Sequence, residues 1–276
     1  MTPDLRIQAS LNGARGAGDG AAVPLSPGDV VEAARGAVAA GAAELLVHPR
    51  TPCGRESLSP RVVGPLVEAL RGAGVSVPLS VCASIAAEPD PAGRQARIRS
   101  WTVLPDRATV SFADPGAEEL ARTLLSRGVA VDALIPWPPL ADAAPTRALQ
   151  NLTRFPTWST GAADTSGAGA AGRSGRGWVR VVVEMAGVEP AAAAWVRRLV
   201  LGVPLVLVGR DGAAWPVVRL AARCGAGARI GVGDVLHLPD GRPAPSTAAL
   251  VAAALATAGA ETAARGAGGR PAGSQP

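Results

Sequence analysis

Residues 204–224 read PLVLVGRDGAAWPVVRLAARC. Four apolar residues in a row, Leu205 to Val208, stop at a glycine. After a short polar link the apolar residues return at helical spacing from Ala214 to Cys224. A strand with no polar face is expected where both sides of a sheet are covered, as in parallel sheets flanked by helices. This stretch therefore predicts a strand followed by a covering helix.

The same unit recurs in both directions. Towards the C-terminus, a strand over 229–232 precedes a helix over 246–258. Towards the N-terminus, strands are predicted over 179–185, 129–135, 108–112, 77–82, 45–48 and 6–11. Their helices fall over 191–201, 139–152, 116–127, 92–101, 60–71 and 27–40. The last of these is opened by Ser26 as a cap, with Pro27 at the first helical position. Eight strand–helix units in about 260 residues predict an α/β fold, a (β/α)8 TIM barrel. A doubly wound open sheet is the alternative, but no Gly-x-Gly-x-x-Gly follows the first strand. Residues 1–262 read as one domain. A Gly/Ala/Ser/Thr tract over 157–177 reads as a flexible insertion, and 263–276 as a disordered tail.

Composition narrows the function. All 27 basic residues are arginine, and tyrosine is absent. The pI of 10.6 reflects arginine in place of lysine, since the net charge is only +5. Without a basic run or an aromatic platform, nucleic acid is not an expected partner. Three widely spaced cysteines, Cys53, Cys82 and Cys224, fit a reducing compartment. Neither a signal peptide nor an apolar run of about 20 residues is read, so no membrane partner is expected and the chain is expected in the cytoplasm.

Absence of lysine excludes a Schiff-base aldolase and lysine-bound pyridoxal phosphate. No serine elbow motif is present. What remains is proton abstraction beside a carbonyl, helped by a metal or by arginines. In a barrel the groups that do this lie at the C-terminal ends of the strands. The polar residues on or just after the strands are Asn12, Arg15, His48, Arg50, Ser80, Cys82, Ser84, Thr109, Ser111, Asp114, Asp132, Glu184, Arg210, Asp211 and Asp234, with Arg229 at the start of the eighth strand. Arg50 reads either as an anion binder or as the partner of Glu56. For Arg229 and Asp234 to meet, Gly231 and Gly233 must bend the chain between them.

The stretches Ser10-Leu11-Asn12-Gly13-Ala14-Arg15, Val47-His48-Pro49-Arg50 and Arg229-Ile230-Gly231-Val232-Gly233-Asp234 resemble the β-keto acid cleavage enzymes, of which 3-keto-5-aminohexanoate cleavage enzyme is a member. The resemblance implies a TIM barrel, a homo-oligomer, and transfer of coenzyme A from acetyl-CoA to part of a β-keto acid with release of acetoacetate. It implies Asp234 as general base with Arg229 beside it. It also implies a substrate-binding set of His48, Arg50, Cys82, Thr109, Ser111, Asp132 and Arg15. The family's zinc is held by a His-x-His pair and a Glu. Here His48 is the one ligand retained, while Leu46 and Gly233 stand at the other two positions; His237 is the other histidine that could serve. The alternative is a homologue that binds a keto acid or acyl-CoA without metal and without turnover.

Overall fold

A computed structural model describes residues 5–20, 22–137, 179–188, 196 and 205–268. Eight parallel strands close into a barrel in sequence order: β1 (Ile7–Ser10), β2 (Glu44–Val47), β3 (Leu79–Cys82), β4 (Arg107–Ser111), β5 (Ala130–Pro136), β6 (Val179–Met185), β7 (Leu205–Gly209) and β8 (Gly227–Ile230), with β8 pairing back onto β1. The helices described around it are α1 (Pro27–Ala39), α2 (Pro60–Gly72), α3 (Pro91–Arg99), α4 (Ala117–Ser126), α5 (Ala214–Cys224) and α6 (Thr247–Gly268). The expected helices over 139–152 and 191–201, and the 157–177 tract, lie outside the described residues, apart from Val196.

Local chemistry sets the helix starts. Ser26 and Asp29 form a reciprocal capping box, with Pro27 next in line. The Asp90 carboxylate accepts from the Gly93 N–H at 2.8 Å ahead of α3, again with proline in the first turn. At the other end of the chain α6 continues to Gly268, into the stretch read as a tail, because its alanines favour helix. By length and composition Thr247–Ala264 could cross a membrane. Here Leu250, Val251 and Ala254 are buried as α6 packs on α1, α5 and β1.

Alternation along each strand separates two interiors. Ile7, Ala9, Leu45, Val47, Leu79, Val81, Leu207 and Ile230 point outward into the main core beneath the helices. Val182, Val206 and Val208, with Leu134 against them, form a separate apolar cluster inside the barrel. Other inward positions on β1 to β6 and β8 include Gln8, Ser10, Glu44, Leu46, Ser80, Arg107, Thr109, Asp132, Arg180 and Arg229, all buried. The barrel is thus apolar on one side of its lumen and charged on the other.

Candidate active site

The charged half of the lumen is organised around Asp132, which is wholly buried on β5. Arg107 Nε and Arg180 Nε both donate to its Oδ1 at 2.7 Å. Ser80 Oγ donates to Oδ2 at 3.0 Å and Gln8 Nε2 at 3.2 Å. Arg180 also donates to Glu44 Oε1 at 2.8 Å. Two arginines and two carboxylates make a neutral quartet. Burial alone would raise the Asp132 carboxyl, but Arg107 and Arg180 outweigh it and hold the group far below the usual carboxylate range. With its oxygens filled by protein donors, Asp132 is tied into the barrel interior. Thr109, one strand away, shares a hydroxyl contact of 3.2 Å with Ser80. Ser111 lies farther along β4, half-buried and opposite Leu134.

Asp234 lies in a different setting. β8 ends at Ile230, and the Gly231 carbonyl accepts the N–H groups of Asp234 (2.9 Å) and Val235 (3.0 Å). This turn folds Asp234 back over the strand end, the bend that the two glycines were expected to make. Arg229 Nε then lies 3.5 Å from Asp234 Oδ1, and Arg210 Nη1 4.0 Å from the same oxygen. Asp234 is 1% exposed, yet among the described residues its Oδ2 has no hydrogen-bond partner, nor does Arg229 Nε. Arg210 is anchored by donating from Nε to Glu184 Oε1 at 2.5 Å.

The loop after β7 closes over this aspartate. The Asp211 N–H donates to the Asp234 carbonyl at 2.9 Å. Asp211 adopts φ +46°, the left-handed region that a non-glycine residue occupies at a cost. Arg15 pairs with the Asp211 carboxylate and donates to the Asp234 carbonyl at 3.3 Å. Arg15 therefore braces the loop backbone from beneath.

His48 stands on the same rim. β1 pairs with both β2 and β8, so the loops carrying His48 and Asp234 flank the end of β1. Asn12, just past β1, grips the His48 backbone with two hydrogen bonds, 3.0 Å to its carbonyl and 2.9 Å from its N–H. The imidazole Nδ1 lies 3.2 Å from Glu56 Oε2, off the line of a true hydrogen bond. Ser84 Oγ donates to the same Glu56 oxygen at 2.6 Å. Burial opposes charge on His48, but Cys82 and Glu56 outweigh it and push its pKa up to about 9.

Glu56 is the residue that sequence reasoning left unassigned. It arrives because the Thr51–Gly54 turn, with Gly54 at φ +82°, folds the chain back so that Arg50 and Glu56 form a bridge. Arg50 does not use its guanidinium on Glu56. Its two terminal nitrogens donate to the carbonyls of Gly13, Arg15 and Gly54 at 2.7–2.8 Å. A cleft of about 170 Å³ opens beside His48, walled by Leu25, Val30, Val62 and Leu66 with Arg61 among its lining residues.

The family's zinc finds no ligand set among the described residues. Leu46 is 2% exposed inside the barrel. At Gly233 a Cβ would sit 2.3 Å from Ser10 Oγ and 2.7 Å from the Gly13 nitrogen, so no side chain fits there. His237 is exposed, and its carbonyl is taken by Trp215 Nε1 at 2.9 Å. No group of three His, Cys, Asp or Glu that could hold a metal ion occurs among the described residues, whereas a catalytic zinc needs about three protein ligands.

Among solved structures, the fold is similar to ObcA in a binary complex with oxaloacetate, with TM-score 0.58 and 15% identity over 89% of this chain and 64% of that one. ObcA in a ternary complex with a C4-CoA adduct and oxalate gives TM-score 0.59 and 14% identity over the same shares. A phospho-2-dehydro-3-deoxyheptonate aldolase from Thermotoga maritima gives TM-score 0.55 and 12% identity, over 95% of this chain and 69% of that one. The chain spans about 64% of the ObcA chain's length, and at these identities the likeness speaks for the fold. No curated protein sequence matches the chain. The family model of the beta-keto acid cleavage enzymes matches residues 4–123 and 179–266. That match takes in both sides of the barrel seam and the turns bearing His48 and Asp234, and the chain belongs to the beta-keto acid cleavage enzyme family.

Proposed function

We propose that the protein transfers an acyl group between a β-keto acid and acetyl-CoA, releasing acetoacetate and a new acyl-CoA by a retro-Claisen route. The observation that carries this reading is the Asp234 carboxylate: buried, with Oδ2 unpartnered among the described residues, at the C-terminal end of the barrel. A carboxylate kept dry beside arginines is suited to remove a proton α to a carbonyl. Arg229 is the nearest cation to that carboxylate, 3.5 Å from its Oδ1. His48 and Thr109 are the polar groups available to hold the keto acid, and the cleft beside His48 gives an apolar tail a seat. Charge developing on the enolate would fall in the field of Arg229, Arg210 and His48. No metal step is assigned, since the described residues do not form a ligand set.

The test is acetyl-CoA-dependent formation of acetoacetate across a panel of β-keto acids. Turnover by the wild-type chain, reduced about 10²- to 10⁴-fold in Asp234→Asn, supports the reading. Absence of turnover with every keto acid, with acyl-CoA or keto acid still bound, favours the second reading of a binding homologue. Leu46 and Gly233 are the residues that favour that second reading.

A further inference from the structure

Arg210 continues the inward phase of Val206 and Val208 one residue past β7. Glu184 holds the same phase on β6, paired in register with Val208. Val182, Val206 and Val208 lie below, so this side of the lumen offers the guanidinium only apolar side chains beneath it. It turns instead across the mouth, from Glu184 Oε1 at 2.5 Å on one flank to Asp234 Oδ1 at 4.0 Å on the other. The backbone is held as well. The chain folds so tightly over Gly209 that a Cβ there would lie 2.4 Å from the Ala213 carbonyl oxygen, and the Arg210 carbonyl accepts the Ala213 N–H at 2.9 Å. Glu184 takes only Nε of the guanidinium. Among the described residues its two terminal nitrogens make no hydrogen bond, and 41% of the side chain is open to solvent. Other arginines at the mouth are already committed. Arg15 pairs with Asp211, Arg50 serves three backbone carbonyls, and the Arg229 side chain is only 2% exposed beneath Asp234.

We propose that Arg210 is the seat for the carboxylate of the β-keto acid, with Glu184 as its positioning residue. The proposal rests on the reading above that a β-keto acid is a substrate, and it names the group that tells such an acid from its esters. Two N–H donors on one plane match two carboxylate oxygens, a pairing that a lysine does not reproduce. With Nε tied to Glu184 that plane is set before the ligand arrives, so less side-chain freedom is lost on binding. The position also fits the chemistry. The α carbon of a β-keto acid is bonded directly to the carboxylate carbon. An anion seated on a guanidinium whose Nη1 lies 4.0 Å from Asp234 Oδ1 therefore brings its α hydrogens next to the group proposed to take one. Arg210 lies between the two negative groups and offsets their repulsion. His48 and Thr109 are left for the ketone oxygen.

The experiment measures binding of acetoacetate and of its uncharged methyl ester to the full chain by isothermal titration calorimetry. The wild-type chain should bind acetoacetate about tenfold or more tightly than the ester. Arg210→Gln should raise the acetoacetate Kd about 10- to 100-fold and leave the ester Kd unchanged, with Arg210→Lys falling between. Glu184→Gln should raise the acetoacetate Kd about tenfold, and Glu184→Asp should recover part of that loss. Selectivity for acid over ester is the readout that a merely structural role would not move. Wild type that binds acetoacetate no more tightly than the ester overturns the proposal. So does weakening of both ligands alike in Arg210→Gln and Arg210→Lys. Acetoacetate binding untouched by Arg210→Gln, in a chain that turns over a keto acid, overturns it and leaves the proposed function standing. Selective loss of acetoacetate in Arg210→Gln, with no turnover of any keto acid by the wild-type chain, upholds the carboxylate seat while the cleavage reading fails.

Discussion

Asp132 and Asp234 are both aspartates buried beside arginines in one barrel, and they are wired in opposite ways. Asp132 accepts from Arg107, Arg180, Ser80 and Gln8, drawn from four strands. Among the described residues, Asp234 has its nearest cation at 3.5 Å and one oxygen without a hydrogen-bond partner. Burying a charge costs several kcal/mol unless hydrogen bonds repay it. Asp132 is repaid in full and acts as scaffold. Asp234 is not, and its unmet demand is what a substrate can satisfy. Burial and charge alone therefore do not separate a structural carboxylate from a reactive one; the state of the second oxygen does.

The comparison can be broken most directly at Asp132. Asp132→Asn leaves two buried guanidinium groups short of a counter-charge and should cost about 3–5 kcal/mol of stability, read by urea unfolding. Its pH dependence has a definite sign. The folded-state pKa of Asp132 is depressed, so its stabilisation is fully present above the unfolded value of about 3.9 and is lost as pH falls below it. The stability gap between wild type and Asp132→Asn should narrow from pH 5 downward, and a constant gap would refute the assignment. Asp234→Asn should do the converse, cutting turnover about 10²- to 10⁴-fold while costing less stability than Asp132→Asn in the same unfolding assay.

A smaller effect is expected at the seam. Gly233→Ala should cost about 1–3 kcal/mol from overpacking. Ser10→Ala should not rescue it, because the Gly13 backbone nitrogen still lies 2.7 Å from the new Cβ; full rescue in thermal melts would show that the contact is only with the hydroxyl. Smallest of all is the exposed pair of Glu118 and Arg122 on α4. Glu118→Gln should change stability by no more than about 0.5 kcal/mol, which sets the scale against which the buried pairs are judged.

The eightfold alternation was legible because strands covered on both faces are apolar runs, and because Ser26, Pro27 and Pro60 mark helix starts. The bend at Gly231 and Gly233 was legible too, since Arg229 and Asp234 could not otherwise share a side of the chain. The partners of Asp132 were not. Gln8, Ser80, Arg107 and Arg180 sit on four other strands, and only register joins them; a slip of one residue would turn each to the opposite face. Glu56 was hidden differently. Its sequence neighbour Arg55 and the nearby Arg50 suggested ordinary ion pairing, whereas the Gly54 turn delivers it to His48.

The tight contact of Gly233 with Ser10 and Gly13 carries a consequence for the order in which the molecule matures. On the ribosome, His48, Cys82 and Asp132 emerge long before Arg229 and Asp234. The proposed base gains its arginine and its seat only once β8 has docked between β7 and β1. The carboxylate proposed to take the keto acid's proton thus arrives with the last strand, so a nascent chain, or one clipped ahead of β8 by a protease, lacks it.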